Sequence, residues 1–137
     1  MSQEPTSELT GQVIGCAMTV HRTLGNGYNE SVYHKALEIE LNEIGIRFES
    51  RKKLQVLYKN KPVGDFEADF VIDGLLIVEL KAVQTLLPVH EAQLVNYLTT
   101  TGLNQGLLIN FGAESLQFKK KFRTYRPRTE PSDSQNS

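Results

Sequence analysis

The sequence predicts an α/β (α+β) protein with a mixed central β-sheet flanked by helices, in the order αα-βββ-α-ββ. Three observations carry this. Apolar residues recur at helical spacing near the start and again after Pro88. Strand-like runs that alternate or stay apolar fill residues 46–83 and 106–123. Each kind of element has one apolar side to bury, and helices laid on a sheet bury both. A length of 137 residues suits one such core rather than two.

Taken in order, Ser7 or Thr10 is placed to cap a first helix, with Leu9, Val13, Ile14, Ala17 and Met18 on one side. Leu24-Gly25-Asn26-Gly27 breaks it. A second helix spans about Glu30 to Asn42, burying Val32, Ala36, Leu37 and Leu41, and Gly45 ends it. Residues 46–58 alternate loosely through Phe48, Leu54, Val56 and Tyr58, and Asn60-Lys61 is expected to turn the chain. Residues 63–72 and 75–83 form a hairpin around Asp73-Gly74. Pro88 starts a helix carrying Ala92, Leu94, Val95 and Leu98, which Gly102 stops. Gly106 to Phe111 is a short buried strand. In the last strand Leu116, Phe118, Lys120 and Phe122 alternate with Gln117, Lys119, Lys121 and Arg123. The folded domain is expected over 7–125, with 1–6 and 126–137 disordered.

A hydrophobic content of 39% against 23% charged demands neither a membrane nor disorder. The longest apolar stretch, Leu75 to Leu80, is interrupted by Glu79 and far too short to span a bilayer. The first fifteen residues have no basic or apolar leader pattern. One cysteine, Cys16, excludes an internal disulfide and a zinc cluster. A cytoplasmic location is expected. The net charge of −1 hides an alternation: residues 46–64 hold six basic side chains against Glu49, and 98–128 again hold six against Glu114. The intervening 65–97 are acidic. Such blocks read as segregated surfaces or as solvated strand faces.

Chemistry concentrates in Glu67 to Lys81. Glu79 and Lys81, two apart on a strand, point to the same side. Their neighbours Leu76, Val78 and Leu80 are apolar enough for a central strand covered on both sides. Across the hairpin, Asp69 is expected opposite Glu79. Two carboxylates about 4 Å apart repel by roughly 4 kcal/mol at an effective dielectric near 20. Lys81 relieves part of this and a divalent cation relieves all of it; oxygen-only ligands favour Mg²⁺ or Mn²⁺. The plain alternative is a cross-strand salt-bridge cluster.

Asp69 followed by Glu79-Leu80-Lys81 resembles the D…ExK signature of the PD-(D/E)XK nuclease superfamily. Further motifs agree in order: Gly27-Tyr28-Asn29-Glu30-Ser31-Val32-Tyr33 reads G-x-x-E-x-x-Y, Gln93 to Tyr97 reads Q-x-x-x-Y, and Gly106 to Gly112 follows. Together, over about residues 7–123, they resemble the small bacterial GxxExxY proteins, nearest the RecB-like branch. The resemblance implies a restriction-endonuclease-like core and Mg²⁺- or Mn²⁺-dependent hydrolysis of DNA phosphodiesters. It implies Asp69 and Glu79 as metal ligands with the Leu80 carbonyl, and Lys81 positioning or deprotonating the attacking water. Glu30 either reaches the metal through water or complements the helix macrodipole. Gln93 and Tyr97 share a helix face and either orient the site or contact phosphate, or form a polar seam. His90 and Glu91 are supporting residues. Tyr33, Cys16, His21 and His34 read as packing or surface. Lys119, Lys121 and Arg123, on one strand face, would track phosphates of a nucleic-acid partner, most simply DNA. The alternative is an inactive module of this fold that binds nucleic acid or a partner protein; a homodimer stays open.

One geometric expectation needs no resemblance. A two-residue turn at Asp73-Gly74, the strongest local hairpin signal, pairs Ile72 with Leu75 and turns Asp69 away from Glu79. A three-residue loop, Asp73-Gly74-Leu75, pairs Ile72 with Leu76 and sets Asp69 opposite Glu79. It also sorts Phe70, Ile72, Leu76, Val78 and Leu80 to one side, and Asp69, Val71, Ile77, Glu79 and Lys81 to the other. The three-residue loop is therefore expected, with Gly74 or a neighbour at positive φ.

Overall fold

The computed structural model describes residues 5–123. Thr6, in extended backbone, accepts the Leu9 N–H on its hydroxyl and caps α1 (Ser7–Leu24). Ser7 and Thr10, the expected caps, lie inside the helix instead, and Pro5 is buried. Pro5 and Thr6, within the expected disordered stretch 1–6, are among the described residues. The rest of that stretch, like the expected tail 126–137, lies outside the described residues. Asn29 caps α2 (Glu30–Glu43) by accepting the Val32 N–H. Five strands follow, with one helix among them: β1 (Phe48–Tyr58), β2 (Lys61–Ile72), β3 (Leu76–Lys81), α3 (Pro88–Thr101), β4 (Gln105–Asn110) and β5 (Gln117–Phe122). The element order and the mixed sheet are those predicted.

The sheet runs β1-β2-β3-β4-β5, with β3 and β4 parallel across the α3 crossover and every other pair antiparallel. On one face, Val13, Ala17 and Val20 of α1 and Tyr33, Leu37 and Leu41 of α2 pack on Phe70, Ile72, Leu76, Val78, Leu80 and Ile109. On the other, Leu94 and Leu98 of α3 pack on Val71, Ile77 and Leu108. Met18 and Val32, expected in the helix cores, are largely exposed, while Cys16 and His34 are buried in their place.

The β2–β3 hairpin has the three-residue loop. Ile72 pairs with Leu76 and Phe70 with Val78, and Asp73 and Gly74 take φ of 53° and 69°. Burial decides this register. It sends five fully buried apolar side chains into the α1/α2 core, each worth about 1.5–3 kcal/mol, and that outweighs the local preference for a tighter turn. The other hairpin turns one residue earlier than expected: Lys59 and Asn60, with φ of 52° and 65°, form the loop, and Tyr58 pairs with Lys61.

Alternation breaks once along β2. Phe70 and Ile72 face α1 and α2, yet Phe66 and Ala68 pack with α3. Phe48 and Leu54 of β1 divide the same way. The change falls between the pairs Ser50–Phe70 and Lys52–Ala68, where Arg51 takes the left-handed φ of 51°. Asp69 stands at this pivot rather than squarely on the Val71 side, as simple alternation had implied.

Candidate active site

The β2–β3 ladder ends at the Phe70–Val78 pair, and side chains continue it. The Asp69 N–H donates to Glu79 Oε2 at 3.3 Å, and the Leu80 N–H donates to Asp69 Oδ2 at 2.7 Å. A strand N–H points within the sheet, so the Asp69 carboxylate lies close to the sheet plane, in the gap where the strands part. Both carboxyl groups are half-buried there, with Lys81 two residues further along β3.

Charge is poorly balanced at this point. Burial first, and the Asp69 carboxylate second, push the Glu79 pKa up to about 8; the Asp69 N–H and Lys81 pull against them. Glu30, exposed at the first turn of α2, is also raised by partial desolvation, with Lys81 opposing. Among the described residues no three His, Cys, Asp or Glu side chains converge closely enough to hold a metal. Two hard oxygen donors whose charges repel suit a hard divalent cation. A cavity of about 200 Å³ opens beside them, lined by Glu30, Ser31, His34, Arg51, Asp69 and Leu80.

The family model of the PD-(D/E)XK nuclease superfamily matches residues 7–123. The chain belongs to that superfamily. The crystal structure of SSO0001 superposes with a TM-score of 0.54 at 18% identity, over 70% of this chain and 50% of that one, which shows a shared fold. The chain thus spans half the length of that structure. No curated protein sequence matches it significantly.

In this PD-(D/E)XK chain, α3 brings a second group towards the carboxylates. Tyr97 is half-buried and stacked on Phe66, with ring centroids 3.7 Å apart. Its pKa is raised by burial, then by Glu79 and Asp69, which puts the phenol within their field. Gln93 shares its helix face but is exposed, lining a cavity with Val56, Asn96 and Tyr97. His90 Nδ1 accepts the Leu87 N–H at 3.0 Å, so its ring closes the helix start. Glu91 pairs with Lys121 at 2.9 Å.

That pairing corrects one expectation. Lys119, Lys121 and Arg123 do share a face, but Lys121 is half-buried and held by Glu91, leaving Lys119 and Arg123 exposed. Phe118 and Phe122, on the opposite side of this strand, are 39% and 61% exposed. β5 is the sheet edge, and it is α3 that covers it, on the Lys121 side.

Several residues escaped the sequence reading. His34 is not partnerless: its ring stacks on Phe70 at 4.2 Å, and Nε2 lies 3.3 Å from Glu38 Oε2 and 3.4 Å from Ser50 Oγ. Burial, with Arg51 next, holds its pKa below the ordinary value. Arg51 was one basic residue in a run, and only its backbone and cavity position distinguish it. Asn110, fully buried at the end of β4, accepts the N–H groups of Val83 and Gly112 and donates to Val83 O and Gln117 Oε1. It thereby fastens the chain leaving Lys81 to β4. Gly112 is required there, because a Cβ would strike the Ala82–Val83 backbone. Tyr33, as expected, is core: it stacks on Phe111 and its hydroxyl donates to Gly25 O at 2.6 Å. His21, also read as packing, bonds Ala113 O, and Cys16 is buried.

Proposed function

We propose that the chain is a Mg²⁺- or Mn²⁺-dependent nuclease that hydrolyses DNA phosphodiester bonds at Asp69, Glu79 and Lys81. Membership of a nuclease superfamily supports a nuclease-type function and nucleic-acid binding. One observation carries the finer reading: Asp69 and Glu79 are locked together through each other's strands while Glu79 is pushed up to about 8. Such a pair is unfavourable as two bare carboxylates and becomes favourable around a divalent cation. Asp69, Glu79 and the Leu80 carbonyl would hold it, with Glu30 acting through water. The cation, when bound, supplies Lewis acidity and charge neutralisation at the phosphate.

The protein's own groups do the rest. Lys81, on the Glu79 side of β3, positions the attacking water and stabilises charge growing on the phosphate oxygens. Gln93 and Tyr97 orient the nucleic acid from α3. Within the superfamily the motif Gly27–Tyr33 argues for the GxxExxY group, nearest the RecB-like branch. No helix among the described residues is long and apolar enough to cross a membrane.

A second reading, an inactive module that binds nucleic acid or a partner protein, is favoured by one feature: among the described residues no third acidic side chain joins the pair. Calorimetric titration with Mg²⁺ or Mn²⁺, then a DNA cleavage assay on the same samples, separates the two. Wild type is expected to bind metal and cut DNA, and EDTA to stop it. Asp69→Ala and Glu79→Ala should lose both, whereas Lys81→Ala should keep metal and lose turnover by about 100-fold or more. Equal residual activity in wild type and all three variants would leave the binding module.

A further inference from the structure

Beyond the pivot at Arg51 and Asp69, the β1–β2 ribbon crosses α3 and then leaves the body of the protein. Leu54, Phe66 and Ala68 are still packed there, but every residue from Leu57 to Asp65 is exposed. A free two-stranded tip in water exposes backbone and apolar side chains without return, and this one carries Leu57, Tyr58 and Val63 at 51%, 64% and 62% exposure. Its charge is mainly positive, with Asp65 the one acidic residue of the exposed stretch. Residues 52–64 contain Lys52, Lys53, Lys59 and Lys61 and no acidic residue. Lys52 is paired with Glu49, while Lys53, Lys59 and Lys61 have no acidic partner among the described residues. A β-bulge between Val56 and Leu57 sharpens the twist just before the tip, and Lys59 lies over the Tyr58 ring at 5.7 Å.

We propose that this hairpin tip is an arm for duplex nucleic acid, which it enters by a groove. The partner is chosen by charge complementarity: an unpaired lysine cluster around aromatic and apolar side chains suits a polyanion with a grooved, partly apolar wall. Shape narrows it further, because a two-stranded ribbon fits the roughly 12 Å major groove of a B-form DNA duplex. The arm also has a fixed reach. Lys61 lies eight residues from Asp69 along β2, about 25 Å of strand, or roughly seven base pairs at 3.4 Å each. The proposal deepens the nuclease reading by naming duplex as the substrate form, and the distance to the cut rests on that reading.

Binding of a labelled 24-base-pair duplex and of its single strand, in EDTA and across a salt series, tests it apart from cleavage. Wild type is expected to prefer duplex. Lys59→Gln/Lys61→Gln should lose about tenfold in duplex affinity and flatten the salt slope by about two. Tyr58→Ala should weaken duplex binding without altering the slope. Melting temperature and Mg²⁺ titration should be unchanged, since the tip touches neither core nor carboxylates. Duplexes with fewer than about seven base pairs on the arm side should bind wild type as weakly as the double variant. Unchanged duplex affinity and slope in the double variant overturn the arm even if the protein cuts DNA. Equal losses on single strand overturn the duplex assignment. Self-association that disappears in Tyr58→Ala, with duplex binding intact, makes the tip a contact between copies instead. A protein that fails to cut DNA but shows the expected binding losses keeps the arm and loses the nuclease reading.

Discussion

Glu79 is held in a way that makes protonation and folding compete with metal binding. In the metal-free folded chain its carboxyl keeps a proton up to about pH 8, because burial and Asp69 disfavour the anion. The unfolded chain releases that proton near pH 4.3. Through the intervening window the folded state binds the extra proton, so stability falls as pH rises. In EDTA, the melting temperature of wild type should therefore decline between about pH 5 and 8 relative to Glu79→Gln. At pH 8 the variant should be ahead by about 2 kcal/mol, a figure reduced for the partial access of solvent to the site. Parallel curves for the two proteins would show that Glu79 is not under this strain. Mg²⁺ affinity should follow the opposite course, strengthening as pH rises towards 8, since the ligand is the anion.

At the scale of elements, the site depends on how strand ends are fastened rather than on the carboxylates alone. β3 ends at Lys81, and the chain beyond it is tied to β4 by two hydrogen bonds between Val83 and the Asn110 side chain, which also bonds Gly112 and Gln117. Asn110→Ala strands the partly buried N–H groups of Val83 and Gly112, a loss of about 1–3 kcal/mol. Thermal denaturation should register that loss, and hydrogen exchange should show it concentrated in residues 81–84 and 110–113. Uniform loosening across the sheet would instead mean that Asn110 supports the core in general. The Asp73-Gly74-Leu75 loop has a comparable part, because its length sets the register on which the contact between Asp69 and Glu79 depends.

For the whole molecule, positive charge lies on both sides of an acidic centre, but less of it is free than the sequence implies. Lys121 is committed to Glu91, so the β5 face offers Lys119 and Arg123. Neutralising Lys119, Lys121 and Arg123 together should flatten the salt dependence of DNA binding by about two counterions rather than three. A slope measured by fluorescence anisotropy over a range of salt decides this; no change would reduce the strand to a solvated face. Lys119 pairs across β4 with Leu108, which itself pairs with Glu79, so this lysine shares a level of the sheet with the centre.

Element order, sheet type and the β2–β3 register were all legible from the sequence, because each follows from period. Alternation along a strand and 3.6-residue recurrence along a helix record which side chains must be buried, and burial outweighs local turn preference by several kcal/mol. The meeting of Asp69 with Glu79 followed from that register. What period cannot express was left to tertiary structure. Thr6 replaced Ser7 as cap because hydroxyls near a helix start look alike until backbone angles choose one. Asp69 moved to a pivot because Arg51 adopts a left-handed conformation that its side-chain type does not announce. Phe118 and Phe122 became exposed because no helix among the described residues covers that side of the edge strand, a fact about neighbours rather than about the strand. Asn110, His34 and Lys121 found partners 27, 16 and 30 residues away in the chain. Such pairings arise only when packing brings distant segments together, and a polar residue carries no local mark of the partner it will meet.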